Sequence, residues 1–404
     1  MGKLDQFTIV ISNPNGVLYA GQLLQGEVLI QLNEPMKIRN ARLTFRGRAT
    51  VHWTEHRHGH HHHGAGNIHH HHHHGVGHHG TGHASQTVHY RGDQLYFYEK
   101  VVVWGNPMDS GGDPPVMPAG QHRFPFSYQL PPHCPTSYEG YNGNIRYSVK
   151  CTLDKPWKFD HSTVAFFTVI YPLDLNLDPR AVHPVQMERT KSLGFCCCRA
   201  GDLMARISVN RQGFVPGESI DVTVAVDNRS SRVIEPGGVR LKLHQMITYR
   251  SNCGRQKSSR DLVAEARSSA GVESNRSENL VISLLVPPVP NTLESLCAVI
   301  DILYTVQVEL DPSGMSTDLD LYLPVIIGSV PIRQYWAPQG GPGAPQPSAP
   351  AAPIDPSAPP PDMPPPSYED SVFGRKVMEE EEDNEHTRGD RNFAPRYPVY
   401  TKNH

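Results

Sequence analysis

The sequence predicts an all-β protein with two antiparallel β-sandwich domains and a disordered, proline-rich C-terminal tail. Many short segments alternate apolar and polar residues with a period of two, and no amphipathic helix pattern of ten or more residues occurs. The same order of segments occurs twice along the chain. The apolar alternation ends abruptly after Trp336. These observations predict sandwiches over 6–172 and 202–332, a connector over 173–201 and a tail over 333–404.

Seven segments carry the strand pattern most clearly. They are rich in Val, Ile, Phe, Tyr and Thr, which pack well on a pleated sheet, and Gly, Pro or Asn punctuates them. Many short strands without intervening helices favour antiparallel sandwiches. The segments are FTIVIS (7–12), LLQGEVLIQL (23–32), IRYSVKCTL (145–153), STVAFFTVI (162–170), ESIDVTVAVDN (218–228), LVISLLV (280–286) and LYTVQVEL (303–310).

The internal repeat determines how the two domains correspond. AGQLLQGEVLI, which begins at residue 20, aligns with PGESIDVTVAV, which begins at residue 216, so that Leu24 matches Ile220 at an offset of 196. Further along, IRYSVKCTL (145–153) aligns with ILYTVQVEL (302–310) at an offset of 157. The offset shrinks because the first copy contains about 40 additional residues.

The additional residues lie at 56–89, a segment made mostly of Gly, His and small or polar residues. Such a segment cannot bury enough apolar surface to offset its ordering entropy, so a disordered loop between two strands is predicted. Neighbouring imidazoles chelate transition metals, but a loop without fixed geometry makes no defined site. We therefore predict no metal site and no cofactor. Metal storage or sensing by the His tract remains an alternative function.

The tail contains the clearest recognition motif. Residues 338–366 hold 13 prolines in 29 positions, a composition that favours polyproline II and cannot form a core. WW domains bind the form P-P-x-Y, because a polyproline II segment is already stiff and fits an aromatic groove at little entropic cost. The residues of this form in the tail are Pro365, Pro366, Ser367 and Tyr368.

A second, weaker motif lies near the C-terminus, at Pro395 and Tyr397. Ala394 stands at the position of the first proline, so one of the two proline contacts is lost. The acidic run EEEEDNE (379–385) between the two motifs is expected to be solvated.

The paired sandwiches, the internal repeat and the P-P-x-Y tail together resemble the arrestin domain-containing proteins, or α-arrestins. The resemblance spans nearly all of residues 1–332 in the family's order. The first copy has Ala-Gly-Gln where the family often has Pro-Gly-Glu, and the long His-rich insertion also departs from the family pattern. The matching stretches are GVLYAGQLLQGEVLIQL, ARLTFRGRA, GYNGNIRYSVKCTLDKPW, DLN at 174–176 and RQGFVPGESIDVTVAVDNRSSR.

The resemblance implies an adaptor rather than an enzyme. Family members use P-P-x-Y motifs to recruit NEDD4-class HECT ubiquitin ligases through WW domains, while the arrestin domains engage receptors or transporters as cargo. Carried over to this chain, the ligase contacts are Pro365, Pro366 and Tyr368, and the protein is cytoplasmic with recruitment to the plasma membrane and endosomes. An alternative is an arrestin-fold trafficking or scaffold protein that works without a ligase, as a retromer subunit does.

Other features narrow the function further. No nucleophile elbow, P-loop, Gly-rich dinucleotide turn or HExxH pattern occurs, so no enzymatic activity is predicted. A net charge of −3 argues against a nucleic-acid partner, and no apolar run is long enough for a membrane span.

Three adjacent cysteines lack the spacing of a zinc site. They fit either S-acylation to a membrane or, as favoured here, packing at the domain junction: Cys196, Cys197 and Cys198.

Overall fold

The structure is a computed structural model that describes residues 3–58, 85–108, 112–195, 198–314, 318–336, 365–378 and 387–401. Strands dominate these residues, and the helical elements among them are three short 3₁₀ turns at Pro14–Gly16, Pro179–Val182 and Arg333–Tyr335. The predicted all-β architecture with two sandwiches is confirmed.

The first sandwich packs a three-stranded sheet, in the order β1-β3-β8, against a larger sheet with the path β2-β11-β10-β5-β6. Alternate side chains of β3 are buried, as the period-two pattern predicts. Its strands are β1 (Leu4–Ile11), β2 (Val17–Tyr19), β3 (Leu23–Leu32), β4 (Met36–Lys37), β5 (Asn40–His58), β6 (Ser85–Gly105), β7 (Val116–Met117), β8 (Gly120–Gln129), β9 (Tyr138–Glu139), β10 (Gly143–Asp154) and β11 (His161–Ile170).

The second sandwich repeats this plan. A sheet in the order β12-β13-β15-β18 faces a sheet in the order β14-β20-β19-β16-β17. Its strands are β12 (Val185–Phe195), β13 (Cys198–Val209), β14 (Gly213–Phe214), β15 (Ser219–Ser230), β16 (Val239–Arg250), β17 (Gln256–Arg267), β18 (Arg276–Leu285), β19 (Ile300–Leu310) and β20 (Leu319–Ile327).

The repeat found in the sequence extends to individual hydrogen bonds. Leu24 and Ile220 are both fully buried, on β3 and β15, which hold the same central place in their sheets. The Tyr147 hydroxyl on β10 donates to the carbonyl of Pro135 at 2.7 Å, and the Tyr304 hydroxyl on β19 donates to the carbonyl of Pro290 at 2.6 Å. Each tyrosine thus ties a core strand to the loop that precedes it, because a buried hydroxyl needs a partner.

Two boundaries differ from the sequence prediction. Strands β5 and β6 pair as far as His58 and Ser85, so the ends of the predicted loop 56–89 are strand, and residues 59–84 lie outside the described residues. Within the predicted connector, Val185–Phe195 is the edge strand β12 of the second sandwich. This strand is mostly exposed, and Arg189 and Lys191 interrupt its apolar alternation, so the sequence pattern does not reveal it.

Polar contacts join the two sandwiches and hold the connector on the second one. The hydroxyls of Tyr138 and Tyr249 lie 2.9 Å apart across the junction. The Leu173 amide donates to Ser329 Oγ at 2.8 Å, and Asn176 Nδ2 donates to the Pro331 carbonyl at 2.9 Å. The connector is therefore fastened to the second sandwich along its first residues.

The predicted disordered tail contains two ordered segments, which corrects that expectation for 365–378 and 387–401. Both pack on the sandwiches and form short strands, whereas residues 338–364 of the proline-rich run and the whole acidic run lie outside the described residues. The strands are β21 (Ser367–Asp370), β22 (Lys376–Val377), β23 (Thr387–Arg388), β24 (Asn392–Phe393) and β25 (Arg396–Val399).

Candidate functional site

The two tail motifs predicted separately from the sequence are partners in one small sheet. Strand β21 pairs antiparallel with β25, so that Tyr368 faces Pro398 and Glu369 faces Tyr397. Pro398 has no backbone N–H, and an isolated pair of four-residue strands is marginal in water. The pair must therefore be held by contacts with the sandwiches.

Tyr368 contacts the first sandwich through a small apolar cluster. Its half-buried ring packs against Val17, Tyr19, Ile170 and Tyr397. Its hydroxyl donates to the Tyr19 hydroxyl at 3.4 Å, a long hydrogen bond. Burial raises the pKa of Tyr19 well above its usual value, so this hydroxyl stays protonated. The contact is apolar packing with a weak polar addition.

Tyr397 is the anchor of the pair. Its side chain is 1% exposed, and its hydroxyl donates to the Ser137 carbonyl at 3.0 Å. Burial raises the pKa of Tyr397 well above its usual value. A WW domain has no access to this ring while the tail is docked, so the prediction of Tyr397 as a free second motif does not describe the docked chain. The Tyr397 ring is more stable in this apolar environment than in solvent, so its burial determines where strand β25 lies.

Arg396 fixes the register of the docked tail. Its guanidinium donates to Asp370 Oδ1 at 2.9 Å and to the Asn15 carbonyl at 3.1 Å, and its amide donates to Thr168 Oγ1 at 3.1 Å. Burial acts to raise the pKa of Asp370, but hydrogen bonds from Arg375 and Arg396 outweigh it and hold the pKa below its usual value.

Tyr400 carries the tail onto the second sandwich. Its amide donates to the Pro216 carbonyl at 2.9 Å, and its hydroxyl donates to the Ser329 carbonyl at 2.8 Å. The ring meets Trp336 edge-on, with the centroids 5.7 Å apart. Gly217 has a φ of +93°, and a Cβ there would collide with the Tyr400 carbonyl oxygen. The absence of a side chain at this glycine therefore gives the tail room to dock.

The floor under Tyr400 contains a buried ion pair. Arg211 Nη2 and Glu218 Oε1 lie 3.0 Å apart with both side chains nearly inaccessible, and Trp336 Nε1 donates to the same carboxylate oxygen at 2.7 Å. The Arg211 guanidinium lies between the rings of Phe214 and Tyr335, at 4.5 Å and 4.3 Å from their centroids. These contacts hold Trp336 in place against Tyr400, because the indole N–H and the carboxylate satisfy each other.

The P-P-x-Y residues themselves lie at the start of the docked segment. Pro365 and Ser367 are exposed, while Pro366 and Tyr368 are half-buried. The motif is therefore at the surface, but the tyrosine ring that a WW groove would accept is partly covered by the protein's own first sandwich.

Sequence reasoning did not find the docking site for the tail. The relevant signal was the cluster of apolar residues in NFAPRYPVY (392–400), which is unusual for a solvated tail. The proline content hid it, because prolines interrupt strand patterns. No feature of the sequence marks Tyr19 or Gly217 as a partner of the tail, because the strand and turn pattern of the sandwiches already accounts for both residues.

Other sequence candidates remain outside the site. Cys198 begins β13, and Cys196 and Cys197 lie outside the described residues, so the choice between packing, which the sequence favours, and S-acylation is not tested. Among the described residues, no group of three or more His, Cys, Asp or Glu side chains could hold a metal ion. The part of the chain that the structure describes also contains no helix long and apolar enough to span a membrane.

Both sandwiches match domains of a known protein family. The family model for the arrestin (or S-antigen) N-terminal domain matches residues 7–176, and that for the C-terminal domain matches residues 199–332. Arrestin domain-containing protein 17 of Caenorhabditis elegans is 28% identical, over 99% of this chain and 100% of its own length. Arrestin domain-containing protein 1 of Homo sapiens is 27% identical, over 89% of this chain and 72% of its own. Arrestin domain-containing protein 4 of Mus musculus is 27% identical, over 83% of this chain and 74% of its own. The chain therefore belongs to the arrestin family and is an α-arrestin, an arrestin domain-containing protein.

Proposed function

We propose that this α-arrestin is an adaptor that links membrane cargo, such as receptors or transporters, to NEDD4-class HECT ubiquitin ligases. Arrestin-domain proteins act as adaptors in protein trafficking, which supports the general role. The observation that carries the specific role is the P-P-x-Y sequence at 365–368, in a proline-rich tail attached to the arrestin pair. Cargo ubiquitination, endocytosis and endosomal sorting follow from such a link.

The chemistry of the motif supports this assignment. Pro365 and Pro366 belong to a polyproline II segment, which loses little entropy when it enters an aromatic groove. The Tyr368 ring adds apolar surface, and its hydroxyl supplies a hydrogen bond, which separates P-P-x-Y from ordinary proline-rich ligands. A single motif of this kind binds weakly, and ligases with several WW domains gain from avidity.

Ligase binding and tail docking compete for the same ring. In the docked chain Tyr368 packs against Tyr19 and its backbone pairs with Arg396–Val399. A WW groove that enclosed the ring would have to remove it from both contacts. The apparent affinity of the ligase is then the intrinsic affinity multiplied by the fraction of chains in which the motif is free.

Proximity labelling in cells tests the proposal. The full chain is compared with Tyr368→Ala, with Tyr141→Ala as a matched control because Tyr141 is 95% exposed. The expected result is that HECT ligases are lost from the Tyr368→Ala sample alone, while membrane cargo is retained in all three. Ligases that remain with Tyr368→Ala would contradict recruitment by this motif and favour a scaffold that works without it.

A further inference from the structure

The loop between β10 and β11 exposes two aromatic rings to solvent. Trp157 is 97% exposed and Phe159 is 72% exposed, the largest such values for the tryptophans and phenylalanines of the described residues. Trp157 has a φ of +60°, which is rare for a bulky residue. Apolar surface of this size costs free energy in water unless something covers it.

The loop is built to present these rings rather than left loose. Asp160 Oδ1 accepts a hydrogen bond from the Lys155 amide at 3.1 Å, which closes the loop on itself. Arg39, just before β5, lies 2.8 Å from Asp154, and Arg42 on β5 lies 3.4 Å from Asp154 and 3.8 Å from Asp160. The two carboxylates are thus neutralised on the protein side of the loop.

The same loop also contains two lysines, Lys155 and Lys158. Lys155 is half-buried and Lys158 is exposed, and neither forms an ion pair with a described residue. Burial lowers the pKa of Lys155; the charge of Lys158 acts in the same direction, and the charge of Asp160 opposes it only in part. An anionic surface facing the loop would relieve this repulsion.

Neighbouring residues extend the same surface. The Asn106 amide donates to the Arg39 carbonyl at 2.8 Å, and Lys37 pairs with Val116, so both adjoining loops lie at this end of the sandwich. Val116 is 49% exposed. A cleft of about 870 Å³ opens between the loop and Arg39, with Trp157, Phe159 and both lysines in its walls. Asp154 and Asp160 also line this cleft, on the side where the arginines pair with them.

We propose that this end of the first sandwich, the loop Lys155–Asp160 with Arg39, is a membrane-docking surface that inserts Trp157 and Phe159 into the headgroup region of an anionic bilayer. Tryptophan is favoured at the boundary between polar and apolar layers, and lysines beside it attract anionic lipid. A bilayer suits a protruding loop with cationic flanks. The surface is independent of the ligase motif and would hold the first sandwich against the membrane that contains the cargo.

Vesicle binding by the purified full chain tests this surface. Phosphatidylcholine vesicles are compared with vesicles that also contain phosphatidylserine, by co-sedimentation and tryptophan emission. Trp157 is the most exposed of the four tryptophans, so a blue shift on anionic vesicles that is absent in Trp157→Phe reports its transfer out of water. Leu177→Ala is the control, because Leu177 is also 81% exposed but lies in the connector.

The expected losses differ between the variants. Trp157→Ala should weaken binding to anionic vesicles about tenfold. Each of Lys155→Ala and Lys158→Ala should weaken it about fivefold, with less effect in high salt. Leu177→Ala and Tyr368→Ala should bind like the native chain, so failure of the ligase motif and failure of this surface are distinguishable. The proposal is overturned if the native chain ignores anionic vesicles, or if Trp157→Ala binds them as well as the native chain.

Discussion

Replacing Tyr397 with alanine should increase ligase binding by the full chain, although it removes part of a predicted motif. Tyr397 is 1% exposed and holds β25, and through it β21, on the first sandwich. Without this ring the tail leaves its docking site, and the P-P-x-Y motif becomes free. If Tyr397 served only as part of a second ligase motif, its loss would lower the affinity through lost avidity. Because Tyr397 is buried, we expect the affinity to rise instead.

The size of the effect follows from the buried ring. Removing a buried aromatic side chain costs about 3 kcal/mol or more, here together with the hydrogen bond to the Ser137 carbonyl. A docking free energy of about 2 kcal/mol would leave about one chain in thirty with a free motif. The cost of Tyr397→Ala exceeds this docking free energy, so the tail is released. The affinity of the full chain for a WW domain should then rise by about thirtyfold, to that of the free peptide.

Calorimetry with an isolated WW domain of a NEDD4-class ligase measures this rise. The titrations compare the native chain, Tyr397→Ala, the control Tyr141→Ala and a free peptide that spans 358–374. The native chain and Tyr141→Ala should bind weakly and equally, and Tyr397→Ala should match the peptide. Equal affinities for the native chain and the peptide would show that the tail does not restrict the motif in solution.

Three further outcomes follow from the structure. Gly217→Ala should expel the tail and make it protease-sensitive, because its Cβ would strike Tyr400, whereas Gly254→Ala, with a similar φ of +82° and no neighbour within 4 Å, should not. In the docked chain the pKa of Asp370 is depressed, so the carboxylate stabilises docking above its undocked pKa of about 3.9, and this contribution is lost as the pH falls through the lower docked value. Amide exchange in β25 should therefore become faster in acid. Asp370→Asn should abolish this pH dependence. Replacing 59–84 by a short Gly-Ser linker should change the unfolding free energy in denaturant melts by less than about 1 kcal/mol.

The sandwiches could be predicted from the sequence because their signals are local and repeated. Leu24 and Ile220 lie in alternating strands whose apolar faces are unambiguous, and both are fully buried. The aligned aromatics Tyr147 and Tyr304 were found through the repeat, although their hydrogen bonds to the preceding loops were not. Alternation indicates which face of a strand is buried, but it carries no information on where a hydroxyl finds its partner.

The docked tail could not be predicted because nothing local specifies it. Strands β21 and β25 are four residues each, contain or adjoin prolines, and are stable only against partners more than 200 residues away, such as Tyr19 and Ser137. Motif and composition identify residues 365–368 as a P-P-x-Y pattern, and ligase binding by it stays a prediction. They could not show that the same tyrosine packs on the first sandwich.

The central claim, that Tyr368 recruits the ligase, is tested most directly by titrating one WW domain into Tyr397→Ala and into the double variant Tyr368→Ala/Tyr397→Ala. Both chains have a released tail, so docking cannot mask the result. Loss of the tyrosine ring at a binding hot spot should cost about 2 kcal/mol or more, which is a loss of about thirtyfold or more in affinity. Equal affinity of the two chains for the WW domain would contradict the account, because the ligase would then be recruited by something other than the P-P-x-Y motif.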